Sequence, residues 1–346
     1  MWTTAFLGDA VLTLHLVQSL RLRCPEAEID LYLSKGFEGL FAPHPDISSV
    51  YGYDKRGNER GIAGSSRLAA RVARKRYDLW MSAHTSPRSA FLALASRAPV
   101  RIGYDAPWWN RVAYTDVVDR RFSELDEVER LLDLLRPLDS GPVSSWPEFA
   151  LDPAAVKEAE VLFSPFKGPV LGMHPGSVWA TKRWPAEYFA EIGKRVIDEG
   201  GSVALFSGSG EESVASEVRA AIVEKLDGER KKLLHDFSGS LSLPLLAACL
   251  SRLSCYLTND SGPMHIAWAL GTPVTALFGP TVRSLGFFPR GEGATVFEND
   301  LPCRPCGLHG PVSCPLGHHD CMRGLLPEPV WEDVRGKLWP GEKPGC

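Results

Sequence analysis

Short apolar runs alternate with stretches of helical period along almost the whole chain. Strands are expected at Ala27–Leu33, Ile47–Tyr53, Tyr77–Ser82 and Val100–Tyr104, and again at Pro169–Met173, Gly201–Phe206, up to Leu257, and Val274–Phe278. Between them lie helical patterns. Leu12, Leu16 and Leu20 mark one over Ala10–Arg23, and others begin at Phe37 and at Phe91. Residues 124–138 read as a helix with its acidic residues toward solvent. In the second half, helices are expected over Ala186–Glu199, residues 213–225 and Pro263–Leu270, with the segment Leu241–Leu250 leading to the last of them. Strand and helix in strict alternation predict an α/β protein with parallel sheets. Two such halves in sequence predict two doubly wound Rossmann-like domains facing each other across a cleft. The expected boundaries are 1–150 and 151–325, with a linker starting in Gly141–Pro147 and a C-terminal helix and tail over 326–346.

The first strand breaks the pattern. A central parallel strand normally shows five or six continuous apolar residues. Met1–Leu7 offers fewer, and Thr3-Thr4 at its middle is polar. The expectation is that the native protein starts upstream, with roughly four to eight more aliphatic residues.

Composition narrows the class. At 346 residues, 44% hydrophobic and 23% charged, the chain has the make-up of a globular protein of two domains. Its net charge of −4 supplies no global attraction to nucleic acid or to an anionic membrane. No apolar run reaches the ~18 residues of a membrane span, and no basic n-region opens a signal peptide, so a cytoplasmic protein is expected. Among eight cysteines, Cys24, Cys249 and Cys255 stand in apolar contexts as buried thiols, and Cys346 ends the chain. Cys303, Cys306, Cys314 and Cys321 cluster with His309, His318 and His319. In a cytosolic protein such a cluster points to a metal such as zinc before disulfides, but only one CxxC pair is present.

Four glycine-bearing loops leave predicted strand ends. Cys255–Thr281 turns through Asn259-Asp260-Ser261-Gly262 into a helix opened by Pro263, then leaves the next strand through Gly279-Pro280-Thr281. A helix N-terminus at a parallel strand's carboxyl end suits a phosphate or sugar, although Asp260 and Ser261 could equally be plain caps. Gly8-Asp9 offers a carboxylate that can take a proton from an attacking hydroxyl or cap the helix behind it. Gly176-Ser177 with Lys182-Arg183-Trp184-Pro185 presents an ammonium held by a rigid aromatic, suited to a pyrophosphate. Gly208–Glu212 lacks the spacing of a dinucleotide or P-loop motif. The helix bearing Arg67, Arg71, Arg74, Lys75 and Arg76 is largely basic on one face, as a solvated helix or as a contact for acceptor phosphates.

His174-Pro175-Gly176-Ser177, Lys182-Arg183-Trp184-Pro185, Asp260–His265 and Phe278–Thr281 together resemble family 9 glycosyltransferases, the ADP-heptose:lipopolysaccharide heptosyltransferases. The resemblance covers most of the chain and implies a GT-B fold. It implies inverting transfer of heptose from ADP-heptose to a lipid A-core oligosaccharide at the inner membrane face, from a cytoplasmic or peripheral position and without nucleic acid. The first domain would bind the acceptor and the second the nucleotide sugar. Asp9 would be the base and Lys182 would meet the donor diphosphate, lined by Gly176, Ser177 and Thr181. Glu212 would face the nucleoside and Leu241 the base, with Asp260, Ser261, Gly262 and His265 at the donor sugar and phosphate. Arg67, Arg71 and Arg74 would meet the acceptor. No metal or other cofactor is implied, because Lys182 and a helix N-terminus take up the diphosphate charge. The cysteine-rich tail resembles heptosyltransferase II types. Heptosyltransferase I, a nucleotide-sugar epimerase and a non-catalytic nucleotide-sugar binder are the rival readings. Transfer to a supplied acceptor separates them.

Overall fold

A computed structural model describes residues 1–55, 57–139 and 141–341. Arg56, within the polar 54–61 loop, and residues 342–346 of the expected tail lie outside them. The chain divides into two compact units, Met1–Ala150 and Leu151–Cys346.

In the first unit the elements run α1 (Leu7–Leu12), α2 (Leu14–Arg23), β1 (Asp30–Ser34), α3 (Glu38–Phe41), β2 (Ser49–Tyr53) and α4 (Gly61–Lys75). They continue with β3 (Leu79–Met81), α5 (Pro87–Ser96), β4 (Val100–Tyr104), α6 (Asn110–Ala113), β5 (Asp116–Val118) and α7 (Glu127–Asp133). β1 pairs with β2, and β3, β4 and β5 form a second ladder, all parallel. The residues at the start of the chain join them. Trp2 bridges Tyr32 on one side and Ser82 on the other, both in parallel. Backbone bonds from Trp2 to Met81 (2.8 Å), Thr3 to Tyr32 (2.9 Å) and Ala83 to Trp2 (3.0 Å) complete the ladders. The central position of the sheet is thus held by a three-residue segment. A fully buried Trp2 compensates for the short run, with its ring centroid 5.3 Å from Tyr53, 6.0 Å from Tyr32 and 6.3 Å from Trp80.

Two expectations change here. The Ala10–Arg23 helix starts earlier, at Leu7, and breaks at Thr13, whose hydroxyl donates to the Asp9 carbonyl at 2.7 Å. The 124–138 helix shortens to α7, and Glu127 on it is buried rather than solvated.

The second unit runs α8 (Pro153–Phe163), β6 (Val170–His174), α9 (Ala186–Asp198), β7 (Ser202–Leu205), α10 (Glu212–Glu224), β8 (Leu234–Asp236) and α11 (Leu243–Leu250). Then come β9 (Cys255–Asn259), α12 (Gly262–Ala269), β10 (Val274–Phe278), β11 (Ala294–Glu298), α13 (Asp320–Arg323) and α14 (Pro327–Leu338). Its six strands lie in the order β11-β10-β9-β6-β7-β8, every pair parallel. β6, β9 and β10 are buried along their whole length, as sheets covered on both faces require. Counted from β6, this is the doubly wound order 3-2-1-4-5-6, whose reversal falls between β6 and β9. The first unit has the same order when the Trp2 segment is counted as its first strand. In both units, the crevice at the reversal is where ligands of such sheets bind.

Candidate active site

In the second unit the loops leaving β6 and β9 meet at the reversal point. Lys182, in a short 3₁₀ turn over Ala180–Lys182, is buried and donates from Nζ to Asp260 Oδ2 at 2.5 Å. The Thr281 hydroxyl, from the loop after β10, donates to the same oxygen at 2.7 Å. Three loops therefore converge on one carboxylate. Asp260 is not a helix cap: Ser261 occupies that position for α12, makes no side-chain cap bond and lies 3.2 Å from the Thr258 hydroxyl. Gly262 opens the helix.

The loop that carries Lys182 is fixed by Trp184, the rigid aromatic expected there, and by Asn259, which the sequence did not single out. Asn259 donates to the Pro175 carbonyl at 2.8 Å and accepts from the Trp184 N–H at 3.1 Å, pinning both ends of the loop to β9. Trp184 is buried and donates from its indole to the Leu325 carbonyl at 2.8 Å. Arg183 holds the Ser177 carbonyl at 2.7 and 2.9 Å. Below the loop, His174 lies 3.0 Å from the Tyr256 hydroxyl and 3.1 Å from Glu211 Oε2. Burial raises the Glu211 carboxyl, but the bond and charge of His174, the Gly208 N–H and the charge of Arg183 bring it below the usual range. Gly176 packs against this glutamate, and a Cβ on it would stand 2.3 Å from Glu211 Oε2, so a larger residue would push the Glu211 side chain aside. Glu212, the residue named from sequence, is exposed and binds the Gly210 N–H at 2.8 Å. Leu241 is partly buried in the connection before α11. His265 is buried in α12 and held neutral, its basicity lowered by burial to about 4.

The cysteine-bearing segment works as a strap across these loops. Arg304 donates to the carbonyls of Phe278, Gly279, Thr281 and Asn299 and to Glu298. His319 Nε2 lies 2.7 Å from the Thr181 carbonyl, and the Thr181 hydroxyl donates to the Pro311 carbonyl. Thr181 is thereby occupied with holding the strap. Cys303, Cys306, Cys314 and Cys321 are free thiols, and among the described residues no three His, Cys, Asp or Glu side chains converge as a metal site. Cys24, expected to be buried, is exposed where α2 ends.

In the first unit Asp9 is the third residue of α1, and its carboxylate accepts from the Phe6 N–H at 3.0 Å. It faces an environment that resists ionisation. Burial and then the charge of Glu127 push its carboxyl up to about 6, against the Phe6 N–H and Arg120, which lower it. Glu127 itself is buried and paired with Arg120 and Arg130, both at 2.9 Å. Arg120 also lies within electrostatic reach of His84. His84 lines a cavity of about 330 Å³ with Trp2, Tyr53, Lys55, Ser86 and Arg88. Arg67, Arg71 and Arg74 do not line it: Arg67 donates to the Asn58 carbonyl, Arg71 pairs with Glu59, and Arg74 bonds Ala70 of its own helix.

The match that assigns this arrangement spans residues 65–310, which fit the model of glycosyltransferase family 9 (heptosyltransferase). The chain belongs to this family. It is a glycosyltransferase of the GT-B class. It is 27% identical over 295 residues to lipopolysaccharide heptosyltransferase 2 of Salmonella typhimurium, covering 80% of this chain and 81% of that one. It is 28% identical over 320 residues to lipopolysaccharide heptosyltransferase 1 of Pseudomonas aeruginosa, covering 88% and 84%. Among solved structures, ADP-heptose lipopolysaccharide heptosyltransferase II of Escherichia coli superposes with a TM-score of 0.78 at 24% identity, over 97% of both chains. A family 9 glycosyltransferase of Veillonella parvula gives a TM-score of 0.85 at 22% identity, over 97% and 96%. No helix among the described residues of this family 9 chain is long and apolar enough to cross a membrane.

Proposed function

We propose that this enzyme moves a heptose from ADP-heptose onto the inner core of lipopolysaccharide, as a heptosyltransferase II-like protein. The observation that carries the reading is the Lys182–Asp260 pair at the reversal point of the second sheet, joined by the Thr281 hydroxyl. A buried ammonium already compensated by a carboxylate can turn toward a diphosphate without leaving an uncompensated charge when the site is empty. The α12 N-terminus adds backbone donors at the same loop. As the anomeric carbon–oxygen bond to the β-phosphate breaks, negative charge grows on the ADP leaving group, and Lys182 stabilises it where it develops. The acceptor hydroxyl attacks the anomeric carbon, and Asp9 takes its proton. A carboxyl titrating near 6 is mostly ionised at neutral pH yet more basic than an ordinary aspartate. Gly176 and Ser177 border the diphosphate, and Glu211 with its His174 support shapes the loop floor.

The acceptor belongs to the first unit. Lys55 and Arg88 bring positive groups to the cavity, and His84, its basicity lowered by burial, adds a neutral hydrogen-bonding ring, without a carboxylate in the lining, which fits an anionic core sugar or phosphate. We therefore assign acceptor recognition to the cavity, in preference to Arg67, Arg71 and Arg74. A position at the cytoplasmic side of the inner membrane follows from such an acceptor. The similarity to heptosyltransferase 1 over 88% of the chain supports a second reading, transfer of the first heptose.

Incubation with ADP-heptose and core acceptors carrying no heptose or one heptose, read by mass spectrometry, tests the reading. Addition of one heptose to the singly substituted core supports it, and addition only to the unsubstituted core supports the second. Turnover of ADP-heptose that gains nothing from either acceptor overturns both.

A further inference from the structure

We infer that Trp179, held against His309, is the surface on which the sugar of the nucleotide donor stacks. The two rings are nearly parallel, 6° apart with centroids at 6.3 Å, an offset stack that fixes the orientation of both. They come from segments far apart in sequence. Trp179 precedes the 3₁₀ turn that ends in Lys182, and its carbonyl accepts the Lys182 N–H at 2.9 Å. His309 belongs to the strap, and Gly310 beside it has a φ of +76°. A Cβ on Gly310 would stand 2.7 Å from Pro280 Cγ and 3.2 Å from the Thr181 hydroxyl, so glycine is what lets the strap come this close. The Thr181 hydroxyl then closes the contact by donating to the Pro311 carbonyl. Indole and imidazole are both fixed to the loop that carries the ammonium.

The position of the pair selects the sugar, a step that rests on the reading of the chain as an ADP-heptose transferase. Lys182 is in the loop after β6. The turn bearing Glu211 and Glu212 follows β7, to one side of it, whereas the strap is bonded to the carbonyls of Phe278, Gly279 and Thr281 after β10, to the other. A nucleotide sugar with its diphosphate at Lys182 and its nucleoside toward β7 therefore carries its sugar toward the strap. His309 is within electrostatic reach of both Lys182 and Asp260, so the stack adjoins that diphosphate. The chemistry suits a pyranose. One face of such a ring is a set of C–H groups that packs on an aromatic face, and its rim of hydroxyls needs hydrogen-bonding partners. Trp179 offers both. It is only partly buried, and its indole N–H has no partner among the described residues, unlike that of the buried Trp184, which donates to Leu325. Desolvation and then the charge of Lys182 lower the basicity of His309, against Asp260, which raises it. Its imidazole thus supports the indole as an uncharged ring and does not compete with Lys182 for the diphosphate.

Calorimetric binding of ADP and of ADP-heptose to the full chain is the test. ADP carries the same nucleoside and diphosphate without the sugar, so it reports on the Lys182 loop by itself. Trp179→Ala should weaken ADP-heptose about tenfold and leave ADP within about two-fold. Trp179→Phe keeps an aromatic face and should recover most of the loss. His309→Ala removes the ring that steadies the indole and should weaken ADP-heptose about five-fold, again with ADP unchanged. Equal weakening of both ligands would assign the pair to the nucleoside or to the shape of the Lys182 loop and overturn the inference. Wild-type affinity for ADP-heptose in Trp179→Ala would overturn it as well. A wild-type chain that transfers no heptose to either core acceptor, while Trp179→Ala still shows the sugar-dependent loss, would overturn the functional reading and leave this one standing. A wild-type chain that binds no ADP-heptose would overturn both.

Discussion

The two units share one strand order and place a carboxylate after a central strand, yet they treat it in opposite ways. In the second unit Asp260 is met at once by Lys182 at 2.5 Å and Thr281 at 2.7 Å. In the first, Asp9 accepts one backbone bond, has no cation within ion-pair distance among the described residues, and sits in the field of Glu127. The two strands that flank the reversal thus end differently: the fourth strand of the second unit leads to a neutralised carboxylate, and the first strand of the first unit to a basic one. The first suits a residue that organises a cation for an anionic ligand. The second suits a residue that must accept a proton.

The largest expected break in that comparison is Lys182→Ala. It leaves Asp260 buried without its cation, at a cost of about 3–5 kcal/mol, and removes the charge that receives the leaving diphosphate. Thermal unfolding should show the loss directly, and donor affinity should fall with turnover. Lys182→Met combined with Asp260→Asn should recover part of the stability and none of the activity. Equal instability of the double and single variants would mean that the pair is not coupled.

Asp9→Asn should move stability the other way. Its carboxyl binds a proton more tightly in the folded chain than at its ordinary value near 3.8. The folded state is therefore favoured below that value, and the advantage is lost as pH rises through about 6. Ionised Asp9 costs on the order of 2–3 kcal/mol at neutral pH, and asparagine removes the cost while keeping an oxygen for the Phe6 N–H. Denaturant titrations should find the variant more stable at pH 7 and the difference gone near pH 4. Turnover should drop about 10²- to 10⁴-fold. A variant that loses both activity and stability would make Asp9 a structural cap.

A smaller contrast separates two neighbours. Glu211→Gln weakens the contact with His174 beneath Gly176 and should cost about 1–2 kcal/mol. Glu212→Gln, on an exposed side chain that binds only the Gly210 N–H, should stay within about 0.5 kcal/mol. Reversed magnitudes would put the wrong glutamate in the loop floor.

The expected bounds of β4 and β10 match to the residue; β10 is buried along its whole length, as a strand covered on both faces is, whereas β4 is fully buried only over its last three residues. The edge strands β5 and β8, three residues each, carry no apolar run and were missed. Lys182 and Asp260 were each visible as candidates, but their union spans 78 positions in sequence and no local period encodes it. Of the two adjacent glutamates, the sequence reading took Glu212, since only the turn at Gly208–Gly210 decides which one turns inward. Glu127 looked like a solvated helix residue because its burial depends on Arg120 and Arg130 closing over it. The cysteines and histidines of the strap suggested a metal, whereas Arg304 and His319 spend their donors on the carbonyls of the site loops.

The proton that Asp9 accepts can be followed directly in the pH dependence of transfer. The dependence of kcat/KM for heptosyl transfer on pH should show an acid limb with an apparent pKa near 6, activity rising as Asp9 ionises. In Asp9→Asn the residual transfer should lose that limb. A limb that persists unchanged in the variant, or wild-type activity that stays flat down to the ordinary aspartate range, would contradict the assignment of Asp9 as the base.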